Sequence, residues 1–246
     1  MVNKKIIVLS IFISLSISIF PQLRLANIFG DGMVLQRNDS INIWGWSKSG
    51  DKVSVIFQGD EYNTISNNDG KWLVQTKHYL AGGPFSLKIK TQKEEIYLKD
   101  IYVGDLWLCS GQSNMHMKMK SVKENYPEEF NLIENKNIRF IEVPSQLNFN
   151  KSEQDIKNSN WSSLNSKSIF KFSAAAYFFA KDLQPKLNIP IGLILSAVGG
   201  SPVESWIREK SALNYKSVAK RLNEAKQEGF LENLQKKYKE NRQNWF

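Results

Sequence analysis

Between Ile41 and Val103, apolar and polar residues alternate in short runs. The runs are Ile41-x-Ile43, Val53-x-Val55-x-Phe57, Trp72-x-Val74, Phe85-x-Leu87-x-Ile89, Ile96-x-Leu98 and Ile101-x-Val103. A period of two places every second side chain on one face, as a sheet with one buried side requires. Ser49-Gly50-Asp51, Asn67-Asn68-Asp69-Gly70 and Gly82-Gly83-Pro84 carry turn chemistry between the runs. The spacing predicts an all-β, sandwich-like module over residues 21–103, with about seven short strands.

The pattern changes at residue 104. Leu106-Trp107-Leu108-Cys109 is a continuous apolar run, the signature of a strand buried on both faces. A further strand is predicted over Ile138–Val143. A polar stretch, Gln146–Ser168, follows it. Ser173 is a good N-cap for the apolar run Ala174–Ala180, so a helix is predicted over Ser173–Leu187. Beyond Pro190, Ile191-Gly192-Leu193-Ile194-Leu195 reads as a second buried strand. The glycine loop Gly199-Gly200-Ser201-Pro202 follows. Strand, helix, strand and glycine loop in succession predict a parallel α/β unit over residues 104–246. The last part of it is a polar helical region broken near Gly229.

The first residues belong to neither module. A short basic segment, Met1–Lys5, precedes the apolar, serine-softened run Ile6–Phe20. At 15 residues this run is shorter than the ~20 a membrane span needs. It reads as a signal peptide over residues 1–20, with Ser16 and Ser18 as a small-x-small pair. A secreted or periplasmic protein, free of the membrane after signal cleavage, is the expectation.

Composition narrows the chemistry. One cysteine makes no internal disulfide, and one cysteine with two distant histidines, His78 and His116, does not supply a structural zinc site. The net charge of +9 raises a nucleic-acid reading. However, much of the surplus lies in the signal segment and in a tail of nine Lys or Arg and four Glu from Lys210 onward. That tail mixes both signs, as a solvated helix face does, so no nucleic-acid partner is expected.

Two loops are chemical candidates. Gly111-Gln112-Ser113-Asn114 directly follows a predicted buried strand, where ligands of open α/β sheets bind. A serine there becomes a nucleophile if a base reaches it. A helix starting just after it would aim N–H groups at a developing oxyanion. The competing reading is a strand-to-loop turn with a capping serine. Met115 stands where a G-x-S-x-G elbow needs its second glycine, so that motif is absent. The second loop, Gly199-Gly200-Ser201-Pro202, is either a tight turn or a place where backbone N–H groups approach a substrate.

These two segments carry a resemblance. LWLCSGQSNM (106–115) and GLILSAVGGSPVESW (192–206) resemble the sialate O-acetylesterase family of the SGNH hydrolases. GDGMVLQR (30–37), IWGW (43–46), DGKW (69–72) and IYVGDLW (101–107) are similar to the β-domain preceding the catalytic domain in those enzymes. The resemblance runs from Leu25 to Ile207. It implies an α/β/α, flavodoxin-like SGNH hydrolase domain within residues 104–246. It also implies a carbohydrate esterase that removes O-acetyl groups from sialic acid or a related glycan without metal or organic cofactor. Ser113 would be the nucleophile, its own N–H one oxyanion donor, and Gly199 or Gly200 another. Gln112, Asn114, Ser201 and Glu204 would line the substrate site.

Two of the family's parts are missing from these 246 residues: the Gln-Gly-Glu type block and the Asp-x-x-His pair that supplies the base. His116 is too close along the chain to Ser113 to serve easily as that base. His78 lies in the β-module. The expectation is therefore an N-terminal part of such an enzyme, with impaired activity. The alternative is a non-catalytic, secreted carbohydrate-binding protein using Trp44, Trp46 or Trp72. A third reading, an anionic polymer on the basic tail, predicts steep salt dependence.

Overall fold

The structure is a computed structural model, in which residues 22–131, 134–146 and 148–243 are described. The proposed signal segment, residues 1–20, lies outside them.

The chain opens with β1 (Arg24–Leu25), β2 (Val34–Gln36), β3 (Ser40–Trp46), β4 (Lys52–Phe57), β5 (Asp60–Ile65), β6 (Lys71–His78), β7 (Gly82–Lys90) and β8 (Glu95–Gly111). It continues with α1 (Ser113–His116), β9 (Asn135–Glu142), β10 (Ser162–Leu164), α2 (Ala174–Leu187) and β11 (Ile191–Ala197). Then come α3 (Glu209–Ala212), α4 (Lys216–Ala225) and α5 (Phe230–Gln243). Each alternating run lies in a strand. β5 escapes the pattern because its residues, Asp-Glu-Tyr-Asn-Thr-Ile, bury no complete face. Its signal is the turn before it: Gln58 and Gly59 both have left-handed φ (49° and 85°), the geometry of a two-residue hairpin.

Two sheets result. β1, β3 and β6 form a three-stranded antiparallel sheet. The larger sheet runs β10-β9-β11-β8-β7-β4-β5, with β2 beside β8. One apolar cluster draws Ile41, Ile43, Trp72 and Val74 from the first sheet and Val53, Val55, Phe57, Leu87, Ile89 and Ile101 from the second. Each such large side chain contributes roughly 1.5–3 kcal/mol on burial.

The element that positions the site is β8. The runs at 96–98, 101–103 and 106–109, expected as separate strands, are one 17-residue strand. Its first half pairs antiparallel with β7, and its second half pairs parallel with β11 from Asp105 to Gly111. It changes partners at Gly104, where an added Cβ would lie 2.0 Å from the Pro190 carbonyl oxygen. Only glycine admits that approach. Gly82-Gly83-Pro84, expected as a turn, opens β7 and shifts its register between Gly82 and Phe85.

β9, α2 and β11 form the predicted parallel unit, with β11 between β9 and β8. Ser173 caps α2 by accepting the Ala176 N–H (3.3 Å). Tyr177 and Ala180 pack with Phe140, Leu193 and Leu195 on one sheet face. The run Leu106–Cys109 is not buried on both faces as expected: Leu108 is 68% exposed and Trp107 42%. Trp107 meets α2 through the ring of Phe179 (ring centroids 4.9 Å).

Arg139 on β9 ties this sheet region to the N-terminal segment. Its side chain is 1% exposed. It donates to the carbonyl oxygens of Lys136 (2.8 Å), Gly32 (2.9 Å) and Asp100 (3.0 Å). It also meets both carboxylate oxygens of Asp100 (2.8 and 3.1 Å).

Candidate active site

Three parallel strands end side by side, and their C-terminal ends build the site. Ser110 and Gly111 of β8 align with Ser196 and Ala197 of β11, and Leu195 aligns with Glu142 of β9. Because the strands are parallel and in register, the loops following them emerge at one edge.

At the end of β8, Gly111 takes φ 140°, a conformation that favours glycine. The chain then makes a single helical turn, α1, closed by His116 N–H to Gln112 O (2.8 Å) and Met117 N–H to Ser113 O (2.9 Å). The helix expected after Ser113 is thus only four residues long. So short an element has little dipole to offer an anion.

At the end of β11, the Val198 N–H donates to Gly111 O (3.0 Å), fastening this loop to the first. The loop turns through Gly200, whose φ of 77° needs glycine. Ser201 closes the turn, its N–H and Oγ both donating to Val198 O (3.2 and 2.7 Å).

The sequence candidates converge. A Cβ added to Gly199 would lie 3.8 Å from Ser113 Cα, so this glycine stands directly beside the serine. Gln112 bridges the loops through Nε2 to Ser201 O (3.4 Å). Ser113 and Asn114 are exposed, and the Ser113 hydroxyl has a long contact to Gln112 Oε1 (3.4 Å). Ser201 Oγ accepts the Trp206 indole N–H (3.0 Å), and Glu204 pairs with Arg221 (3.6 Å).

The histidines differ. His78 ends β6, opposite Ser40 in the three-stranded sheet. His116 lies at the site. Its Nδ1 accepts the Gly199 N–H (3.2 Å), and its Nε2 faces Glu142 Oε1 at 3.9 Å. Lys118 Nζ holds the other Glu142 oxygen (2.8 Å). Sequence reasoning missed Glu142 and Lys118. The available signal was Glu142 at the end of a predicted strand, but its neighbours come from a different part of the chain. Cys109, on the strand leading to Ser113, is buried, and burial pushes its thiol up, away from the reactive thiolate.

A model of the carbohydrate esterase, sialic acid-specific acetylesterase family matches residues 103–235, from the second half of β8 into α5. The chain belongs to that family. The sialate O-acetylesterases of Homo sapiens and Pongo abelii are each 31% identical to it over 76% of this chain. A carbohydrate acetylesterase of Xanthomonas citri has a similar solved structure: TM-score 0.73, 30% identity, covering 76% of this chain and 43% of that one. The chain spans about two fifths of the length of the two mammalian relatives, 39% of each. The acetylesterase family membership agrees with the resemblance carried by the GQSN and glycine-loop segments.

Proposed function

We propose that this acetylesterase-family chain acts on O-acetylated sugars, sialic acid or a related glycan, through an acetyl-enzyme on Ser113. The observation that carries the reading is the juxtaposition of an exposed serine at the end of β8 with the Gly199 backbone of the adjacent strand's loop.

In this mechanism Ser113 Oγ attacks the acetyl carbonyl carbon, and the carbonyl electron pair moves to oxygen. The N–H groups of Ser113 and of Gly199 or Gly200 hold that oxyanion. As the carbonyl re-forms, the C–O bond to the sugar breaks and the sugar oxygen leaves as a hydroxyl with the proton given up by Ser113 Oγ. Water then attacks the acetyl carbon, releases acetate and regenerates the serine. Gln112, Asn114, Ser201 and Glu204 shape the site around the sugar. Residues 21–103 form the β-module, residues 104–246 carry the SGNH-type unit, and residues 1–20 direct secretion or export.

The proton acceptor is the weak point of these 246 residues. His116 has its nitrogens turned to Gly199 and Glu142, and His78 sits in another sheet. Turnover by this chain alone is therefore expected to be slow. An enzyme lacking a triad member retains about 10³–10⁴-fold catalysis over water.

A second reading, glycan binding without turnover, draws support from a cavity of about 640 Å³ lined by Asn42, Trp44, Trp46, Trp72 and Gln154. Against it, Trp72 is only 2% exposed, and the Arg24 guanidinium lies 3.6 Å from the centroid of the Trp46 ring.

Acetate release from O-acetylated sialic acid and from acetylated xylan, by the purified chain and by Ser113→Ala, tests the choice. Slow release that disappears in the variant is the expected result. Glycan binding retained in Ser113→Ala, with no acetate released by either protein, would replace the esterase reading with the binding one.

A further inference from the structure

The Gly199 N–H, one of the two loop donors proposed above for the oxyanion, already has an acceptor. His116 Nδ1 lies 3.2 Å from it. An imidazole nitrogen that accepts a hydrogen bond carries no proton, so the ring in this arrangement is neutral, with its proton on Nε2. That Nε2 faces Glu142 Oε1. A protonated ring has N–H at both nitrogens and would oppose the Gly199 N–H.

We propose that His116 is a positioning residue that plugs this donor: the neutral ring occupies the Gly199 N–H, and protonation releases it. The consequence for catalysis rests on the esterase reading, whereas the plug is a property of the fold. Charged groups surround the ring. Glu142 reaches it from β9. Lys118, from the segment after α1, pairs with the far oxygen of Glu142. The loop after β11 presents the Gly199 backbone. Farther along that loop, Glu204 is engaged by Arg221. The ring is 40% exposed, so protons reach it freely and its removal opens no core cavity.

The variants separate acceptor from charge. Asn at this position places its Oδ1 where Nδ1 stands and does not titrate, so His116→Asn keeps the plug at every pH. His116→Ala removes it. A substrate oxygen must displace one ordinary hydrogen bond from the plugged donor, which corresponds to about a 2- to 12-fold difference in rate.

The experiment has two arms on the 246-residue chain. In the first, nuclear magnetic resonance follows the His116 ring nitrogens and the Gly199 amide proton through a pH titration. We expect the Nε2–H tautomer in the neutral ring and a Gly199 amide shift with the same midpoint as the ring. We expect that shift to be locked in His116→Asn and its plugged value lost in His116→Ala. An Nδ1–H tautomer, or a Gly199 amide indifferent to the ring, overturns the plug.

The second arm measures covalent labelling of Ser113 by a fluorophosphonate. His116→Ala should label about 2- to 12-fold faster than the wild type where the ring is neutral, with the ratio falling to one where it is charged. A ratio of one at every pH also overturns the proposal. No labelling of Ser113 in any variant counts against the esterase reading, and the plug is then decided by the resonance arm.

Discussion

The Arg139–Asp100 pair makes a prediction with an unusual direction, because the two partners differ so much in burial. The arginine side chain is 1% exposed and the aspartate side chain 51%. In Asp100→Asn, the guanidinium stays buried and charged but loses its counter-charge. The Asn amide also turns an N–H toward a group that has only donors. Asp100 has φ 59°, a conformation asparagine adopts as readily as aspartate, so backbone strain does not enter. Leaving a buried charge uncompensated costs about 3–5 kcal/mol. The carbonyl oxygens of Gly32, Asp100 and Lys136 still solvate the guanidinium, which sets the expectation near the lower figure.

In Arg139→Met, the charge left behind is an exposed carboxylate that water takes over. The loss is then the hydrogen bonds to those carbonyls, about 1–3 kcal/mol. The near-isosteric substitution at the exposed partner should therefore be at least as damaging as deleting the buried guanidinium. Urea unfolding measures this. For Asp100→Asn the midpoint should fall by at least ~1 M with an unchanged slope. An Asp100→Asn variant within about 0.5 kcal/mol of wild type, the scatter of harmless surface changes, would refute the reasoning. It would mean that the carbonyls alone neutralise Arg139.

Two further outcomes follow from single residues. Gly104→Ala drives a Cβ to 2.0 Å from the Pro190 carbonyl oxygen, which is backbone and cannot swing aside. A loss above ~3 kcal/mol, the upper end of ordinary overpacking, is expected by thermal or urea unfolding, and a near-neutral variant would disprove the close approach. Glu129 is 5% exposed and held by Tyr177 (2.5 Å) and by Lys181. Burial pushes its carboxyl up, but the hydrogen bonds from Lys181 and Tyr177 and the Lys181 charge outweigh this and hold it below its ordinary value. Its contribution is therefore complete above the ordinary Glu value of about 4.3 and is lost as pH falls through the lower folded value. Glu129→Gln should be less stable than wild type at neutral pH, with the gap closing in acid. Parallel stability profiles in that window would overturn the assignment.

Local chemistry was legible in the sequence. Alternation marked the strands that bury one face, Ser173 marked the start of α2, and the glycines at 111 and 200 stand where left-handed backbone is required. The GQSN segment and the glycine loop pointed to the family, and they offered Ser113 with Gly199 or Gly200 as candidates. These features depend on residues a few positions apart, so their physics is written in the local order of the chain. β5 stayed hidden because a strand that buries no full face has no hydrophobic period.

Pairing between distant segments was decided only in three dimensions. Nothing in the alternation says that one 17-residue strand serves β7 and β2 in its first part and β11 in its second. Likewise, nothing local says that Glu142 faces His116, or that His116 meets the Gly199 N–H 83 residues away. Hydrophobic period fixes which face of a strand is buried. Which strand lies beside which, and so which side chains share an edge of the sheet, depends on the close approach at Gly104 and the packing of α2, and these exist only in the folded chain.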